Sequence, residues 1–156
     1  MLYLLDTCTF SYLEDPESPY NESVLAALDS VDDEDDVCLS ILSLYEIEYG
    51  LRRAGDTLGR ELESAKRHAL TLYRVLPLSR RGAMIFAELK NVYRGQMARQ
   101  MAAKELTKHL SRHTVDLMIA SSAIEHGGMV VSNDRIFKIL QDTHPELSIA
   151  DWTVES

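Results

Sequence analysis

Lysine and arginine are missing from the first 51 residues of this 156-residue chain, a stretch that holds 13 acids. Cysteine is scarce too: Cys8 and Cys38 are the only two. That count does not suggest a disulfide-stapled secreted domain, and the expectation is two reduced thiols in a cytosolic protein. Four prolines and seven glycines exclude a collagen-like or low-complexity chain. No apolar run approaches the roughly 20 residues of a membrane span. Met1 passes through Leu2–Leu5 straight into Asp6, too short and insufficiently basic for a signal peptide, so a cytoplasmic location away from membranes is expected. There is no Gly-rich phosphate loop, no internal repeat and no long linker. What remains is ordinary globular usage, 46% hydrophobic and 26% charged, at a length that predicts one domain over residues 1–156.

The formal charge of −9 argues, taken alone, against a nucleic-acid partner. Its distribution argues differently. Residues 52–113 carry 14 basic and 5 acidic side chains, and residues 114–156 carry 2 basic and 7 acidic. The chain is polarised acid–base–acid, which fits either a nucleic-acid surface or helices with solvated faces.

Apolar periodicity predicts alternating strands and helices. Leu2–Asp6 reads as a buried strand, followed by a helical turn at Thr9–Glu14 and a helix from Asn21 or Ser23 to Asp29. Asp32–Asp36 is an acidic loop. Val37–Ser40 reads as a second strand, Ser43 opens a helix through Arg53, and Thr57–Arg74 is a longer one. Val75–Leu78 is a candidate strand. Arg81–Leu110 is helical with a break expected near Gly95, and its apolar stripe is Ile85, Leu89, Tyr93, Met97 and Met101. Thr114 caps a helix that Gly127-Gly128 ends. Met129–Ser132 is another strand, a short helix capped by Asn133 or Asp134 follows, and Leu147–Ala150 is a last strand. Strands separated by helices predict an α/β domain with a mostly parallel sheet.

In such a sheet, ligands bind beyond the carboxyl ends of the strands. Asp6 and Asp134 fall just past two strand ends, and Glu46 lies in the first turn of a helix that follows a strand. Right-handed crossovers bring these three to one edge. Asp116 joins them if its own helix starts there. Each acid also has a local explanation. Ser43-Leu44-Tyr45-Glu46 fits a capping box, Asp116 suits the positive end of its helix dipole, Asp134 fits an N-cap and Asp6 a turn. Glu48 is placed for a surface pair with Arg52, one turn on. Four carboxylates around one crevice repel one another unless a divalent cation neutralises them, and an all-oxygen set suits Mg²⁺ or Mn²⁺.

Leu4-Leu5-Asp6-Thr7, Ser43-Leu44-Tyr45-Glu46-Ile47-Glu48-Tyr49-Gly50-Leu51, Asp116-Leu117-Met118-Ile119-Ala120 and Val131-Ser132-Asn133-Asp134 resemble, in order, the motifs of PIN-domain ribonucleases. The resemblance runs from Leu2 to about Trp152 and is strongest to VapC-type toxins of toxin–antitoxin pairs. It implies a three-layer α/β/α fold and Mg²⁺-dependent endonucleolytic cleavage of RNA, with a metal-activated water attacking in line. It maps the site onto Asp6, Glu46, Asp116 and Asp134. Asp6 and Asp116 are the direct metal ligands, Glu46 and Asp134 act directly or through water, and Thr7, Ser132 and Asn133 support them. It also implies a homodimer and a cognate antitoxin.

Two features depart from the family pattern. Cys8 stands where many relatives carry Asn, and a thiol is the weaker hydrogen-bond partner. The stretch between Glu88 and Asp116 is long, and its extended helical segment at about 94–113 holds Arg94, Arg99, Lys104, Lys108 and Arg112 against Glu105 alone. That segment can contact an RNA backbone, serve as a dimer or antitoxin arm, or simply be solvated. His109 and His113 are four apart, but no Glu supplies the base a zinc hydrolase needs, and exposed helix histidines are expected. Two alternative functions remain: a non-catalytic PIN-like module that binds RNA or a partner, and another Mg²⁺-dependent phosphohydrolase. For a phosphatase using Asp6 as nucleophile, Cys8 stands where a second acid belongs.

Overall fold

The computed structural model describes residues 1–154. Five strands, β1 (Leu2–Leu5), β2 (Asp36–Ser40), β3 (Arg74–Leu76), β4 (Met129–Val131) and β5 (Ser148–Ala150), form one sheet in the order β3-β2-β1-β4-β5. Every pairing is parallel, so each connection must cross over a face of the sheet. The crossovers are helical: α1 (Thr7–Glu14), α2 (Asn21–Asp29), α3 (Ile41–Arg53), α4 (Asp56–Leu72), α5 (Arg80–Met97), α6 (Ala103–Arg112), α7 (Thr114–Glu125) and α8 (Arg135–Thr143). No helix among the described residues is long and apolar enough to cross a membrane.

Strand residues alternate between two cores, as the two-residue period of a strand requires. Leu4, Cys38 and Val130 pack with Leu89, Tyr93, Leu110, Leu117 and Phe137, the layer of α5–α8. Their neighbours Leu5, Leu39 and Val131 pack on the other face with Phe10, Val24, Ile47 and Ala69, from α1–α4. Both faces are covered, and the fold is the expected three-layer α/β/α arrangement. Between β1 and β4 the winding reverses direction: successive crossovers lead from β1 to β2 and β3, then across to β4 and β5. In open parallel sheets such a reversal marks the usual place for a ligand, beyond the carboxyl ends of the two central strands, here β1 and β4.

Several local boundaries differ from the sequence expectation, each for a visible reason. α3 starts at Ile41, because the Ser40 hydroxyl at the end of β2 accepts from Leu42 N at 3.2 Å. Ser43 therefore lies inside the helix and no Ser43–Glu46 capping box forms. The break expected near Gly95 comes at residues 98–102. Gly95 stays helical, with open space where a Cβ would stand, at the usual propensity cost of about 1 kcal/mol. Thr114 does not cap α7, since its hydroxyl turns back to donate to Leu110 O. Glu48 pairs across to Lys66 on α4 at 2.5 Å and not with Arg52. The acidic loop is partly neutralised, with Asp35 held by the amino terminus and Asp36 by Arg74 at 2.9 Å.

Candidate active site

Asp6 is the first residue beyond β1 and the N-cap of α1. It is 5% exposed, and every contact it makes follows from that position. Its backbone N–H donates to Val131 O on the neighbouring strand at 3.1 Å. Oδ1 accepts from Thr9 N at 2.6 Å, and Oδ2 accepts from the Ser132 hydroxyl at 2.5 Å. Burial pushes the carboxyl above its ordinary pKa, against the Ser132 and Thr9 hydrogen bonds, which act to lower it; the charge of Asp116 raises it further.

Ser132 also accepts from Asp134 N at 3.0 Å, and Asp134 caps α8 by accepting from Ile136 N at 3.0 Å. One hydroxyl thus ties the acid beyond β1 to the turn beyond β4. Asn133 sits in that turn beside the Tyr12 phenol. Thr7 is half-buried, and its hydroxyl shares a hydrogen bond with that of buried Ser43 on α3 at 3.0 Å. Glu46 lies one turn further along α3 and is exposed.

Asp116 lies in the first turn of α7, which starts over the same sheet edge. The common ground of the four acids is Cys8. Desolvation of the thiol, followed by the charges of Asp6, Asp134, Glu46 and Asp116, pushes it up to about 11, although the residue as a whole is exposed. The surroundings of Cys8 thus carry the field of all four carboxylates. Among the described residues no Lys or Arg forms a salt bridge with any of them, and Asp116 alone has a partner, His113, whose Nδ1 lies 2.9 Å from Oδ2.

This donor set is all oxygen and carries excess negative charge, which fits a hard divalent cation. No three His, Cys, Asp or Glu side chains among the described residues are close enough to hold one ion between them. An ion such as Mg²⁺ keeps several waters and is held through one or two carboxylates, so the arrangement fits in that mode. The apolar cavity lined by Pro77, Leu78, Gly82, Phe86 and Met118 contains none of the four acids.

His109 and His113 are half-buried, not the exposed residues their basic neighbours suggest. His109 Nε2 is 2.7 Å from the Tyr93 hydroxyl. Burial, then His113 and Arg112, hold its imidazole below the ordinary value. Sequence reasoning took Ser43 for a helix cap and missed its hydrogen bond to Thr7, and it passed over the contact of His113 with Asp116. The three-residue spacing across a helix start was the available signal for that contact. Arg94, Arg99, Lys104, Lys108 and Arg112 are all exposed and form no salt bridge among the described residues.

Solved structures with this fold are numerous. A chain of VapBC2 from Rickettsia felis, bound to a DNA fragment from their promoter, is 21% identical with a TM-score of 0.72, over 97% of this chain and 99% of that one. A chain of FitAcB from Neisseria gonorrhoeae is 25% identical with a TM-score of 0.69, over 96% and 97%. A chain of VapBC-1 from nontypeable Haemophilus influenzae is 18% identical with a TM-score of 0.73, over 99% and 100%. No curated protein sequence matches. The PIN-domain profile matches residues 3–142, a span that contains all four acids and the carboxyl ends of β1 and β4, and the chain therefore belongs to the PIN-domain family.

Proposed function

We propose that this chain is a divalent-cation-dependent endoribonuclease and the toxin of a toxin–antitoxin pair. The supporting observation is that the charges of four carboxylates, from four separate elements, all act on Cys8 beside the switch point of the sheet, in a chain of the PIN family. A bound Mg²⁺, or Mn²⁺, would lower the pKa of a water and offset charge building on a phosphodiester. Asp6 and Asp116 are assigned to hold it, with Glu46 and Asp134 contributing directly or through water.

The chain's own residues have distinct parts in this reading. Ser132 and Thr9 N fix the plane of Asp6. The Asp134 and Glu46 side chains, both exposed, orient the attacking water. Thr7 fastens α1 to α3 through Ser43, beside Asp6 on one side and one helical turn before Glu46 on the other. The exposed cations of the 94–113 segment draw in the RNA backbone. A cognate antitoxin belongs to the same reading, supported by the likeness to chains of VapBC complexes, and a homodimer is part of the proposal.

The test is cleavage of structured RNA with Mg²⁺, with chelator, and by Asp6→Ala. Cleavage that needs both the metal and Asp6 is expected. Equal cleavage by the variant, or phosphate release from a monoester instead, would overturn the assignment.

A further inference from the structure

We propose that His113 is a positioning residue for Asp116, and that the α5–α6 hairpin exists in part to hold it there. The inference rests on the metal-dependent reading above.

His113 is the single residue between α6 and α7, the C-cap of one and the N-cap of the other. Its backbone is pinned from both sides, its N–H donating to His109 O at 3.3 Å and its carbonyl accepting from Leu117 N at 3.0 Å. The side chain is 19% exposed, with Nδ1 2.9 Å from Asp116 Oδ2. A carboxylate only accepts, so Nδ1 carries the hydrogen and donates. Oδ2 is thereby engaged, while Oδ1 makes no hydrogen bond among the described residues.

The imidazole is itself held on two sides. The His109 ring packs edge-on with centroids 4.8 Å apart, and the Tyr93 ring does so at 6.4 Å. Tyr93 is 1% exposed and in turn meets His109 Nε2 through its hydroxyl. The sequence Tyr93, His109, His113, Asp116 therefore runs from the buried face of α5, through α6, to the acidic edge. A carboxylate whose plane is set before the cation arrives loses less freedom on binding it, the usual consequence of a hydrogen-bonded partner behind a metal ligand. The competing account is a plain helix junction, in which His113 contributes to stability and nothing else.

Metal affinity separates the two. Mn²⁺ binding to the full chain is measured by isothermal titration calorimetry for the wild type, His113→Ala, His113→Phe, His113→Asn and Asp116→Asn. Each unfolding midpoint is recorded alongside. Phe keeps the ring packing and removes the donor, so it carries the test if the Ala variant does not fold. The Ala and Phe variants are expected to bind Mn²⁺ about 10–100-fold more weakly, and Asn, which retains an N–H donor, to recover most of that loss. Wild-type affinity in the Phe variant, or equal losses in Phe and Asn, overturns the positioning role while Asp116→Asn still marks the site. If the wild type and Asp116→Asn bind alike, the metal-dependent reading has failed and this inference falls with it.

Discussion

The Ser132 hydroxyl donates to Asp6 Oδ2 across 126 residues of sequence, and the same oxygen accepts from Asp134 N. Two acids that follow different strands thus share one buried hydroxyl. Removing it leaves a buried carboxylate oxygen short of a donor, which typically costs about 1–3 kcal/mol. Ser132→Ala is therefore expected to lose stability in this range by chemical denaturation. Its RNA cleavage is expected to fall with little change in RNA affinity, because the basic segment is untouched.

Cys8 supplies a readout of the carboxylate field that requires no substrate. With its thiol pushed up to about 11, the thiolate at pH 8 is on the order of one-thousandth of the total, and the thiolate is the reacting species. Alkylation by iodoacetamide is expected to be slow at pH 8 despite the exposure of the residue, and to rise about tenfold per pH unit toward pH 11. Neutralising Asp6 and Asp134 together as Asn should bring that rise to lower pH. A wild-type rate equal to that of an unfolded Cys8 peptide would contradict the arrangement.

Acid should loosen the α5–α6 hairpin through His109. Its folded-state pKa is depressed below the ordinary 6.5, so below 6.5 the unfolded chain binds more protons than the folded one. Stability from the neutral imidazole is present above that pH and is lost as pH falls through the depressed value. The unfolding midpoint of the wild type is expected to drop more steeply between pH 7.5 and 5 than that of His109→Gln. Parallel pH profiles would count against it.

The five exposed cations of the 94–113 segment can be tested as a surface. Lys104→Ala, Lys108→Ala and Arg112→Ala combined should weaken binding to a non-cleaved RNA and flatten its salt dependence. The log–log slope should change by roughly 0.7 for each phosphate of a single strand that is no longer neutralised. The unfolding midpoint should hardly move, because all three side chains are solvent-facing. An unchanged slope assigns the segment to a role apart from RNA.

Much of this molecule was legible in one dimension. Leu4 and Leu5, Cys38 and Leu39, and Val130 and Val131 announce strands buried on both faces, because adjacent strand side chains point opposite ways and all six are apolar. The helices between them dictate parallel pairing, and parallel pairing directs the eye to the carboxyl edge, where Asp6 and Asp134 stand. Local boundaries were less legible. Ser43 and Thr114 look like caps by residue type, yet Ser40 and the α6–α7 junction already occupy those positions, and a hydroxyl inside a helix finds a different partner.

The sequence by itself determined the α/β class, the mostly parallel sheet and the placing of Asp6 and Asp134 just past strand ends, since these follow from periodicity and chain direction. Glu46, expected in the first turn of its helix, lies in the second because α3 already starts at Ile41. Only the tertiary structure decided that α7 begins over the same edge, bringing Asp116 within the field of Asp6. It alone decided that His109 and His113, basic-flanked and outwardly ordinary, turn inward toward Tyr93 and Asp116. Where a helix begins in space depends on how its apolar face packs against other helices, and that packing is settled by contacts far apart in the chain.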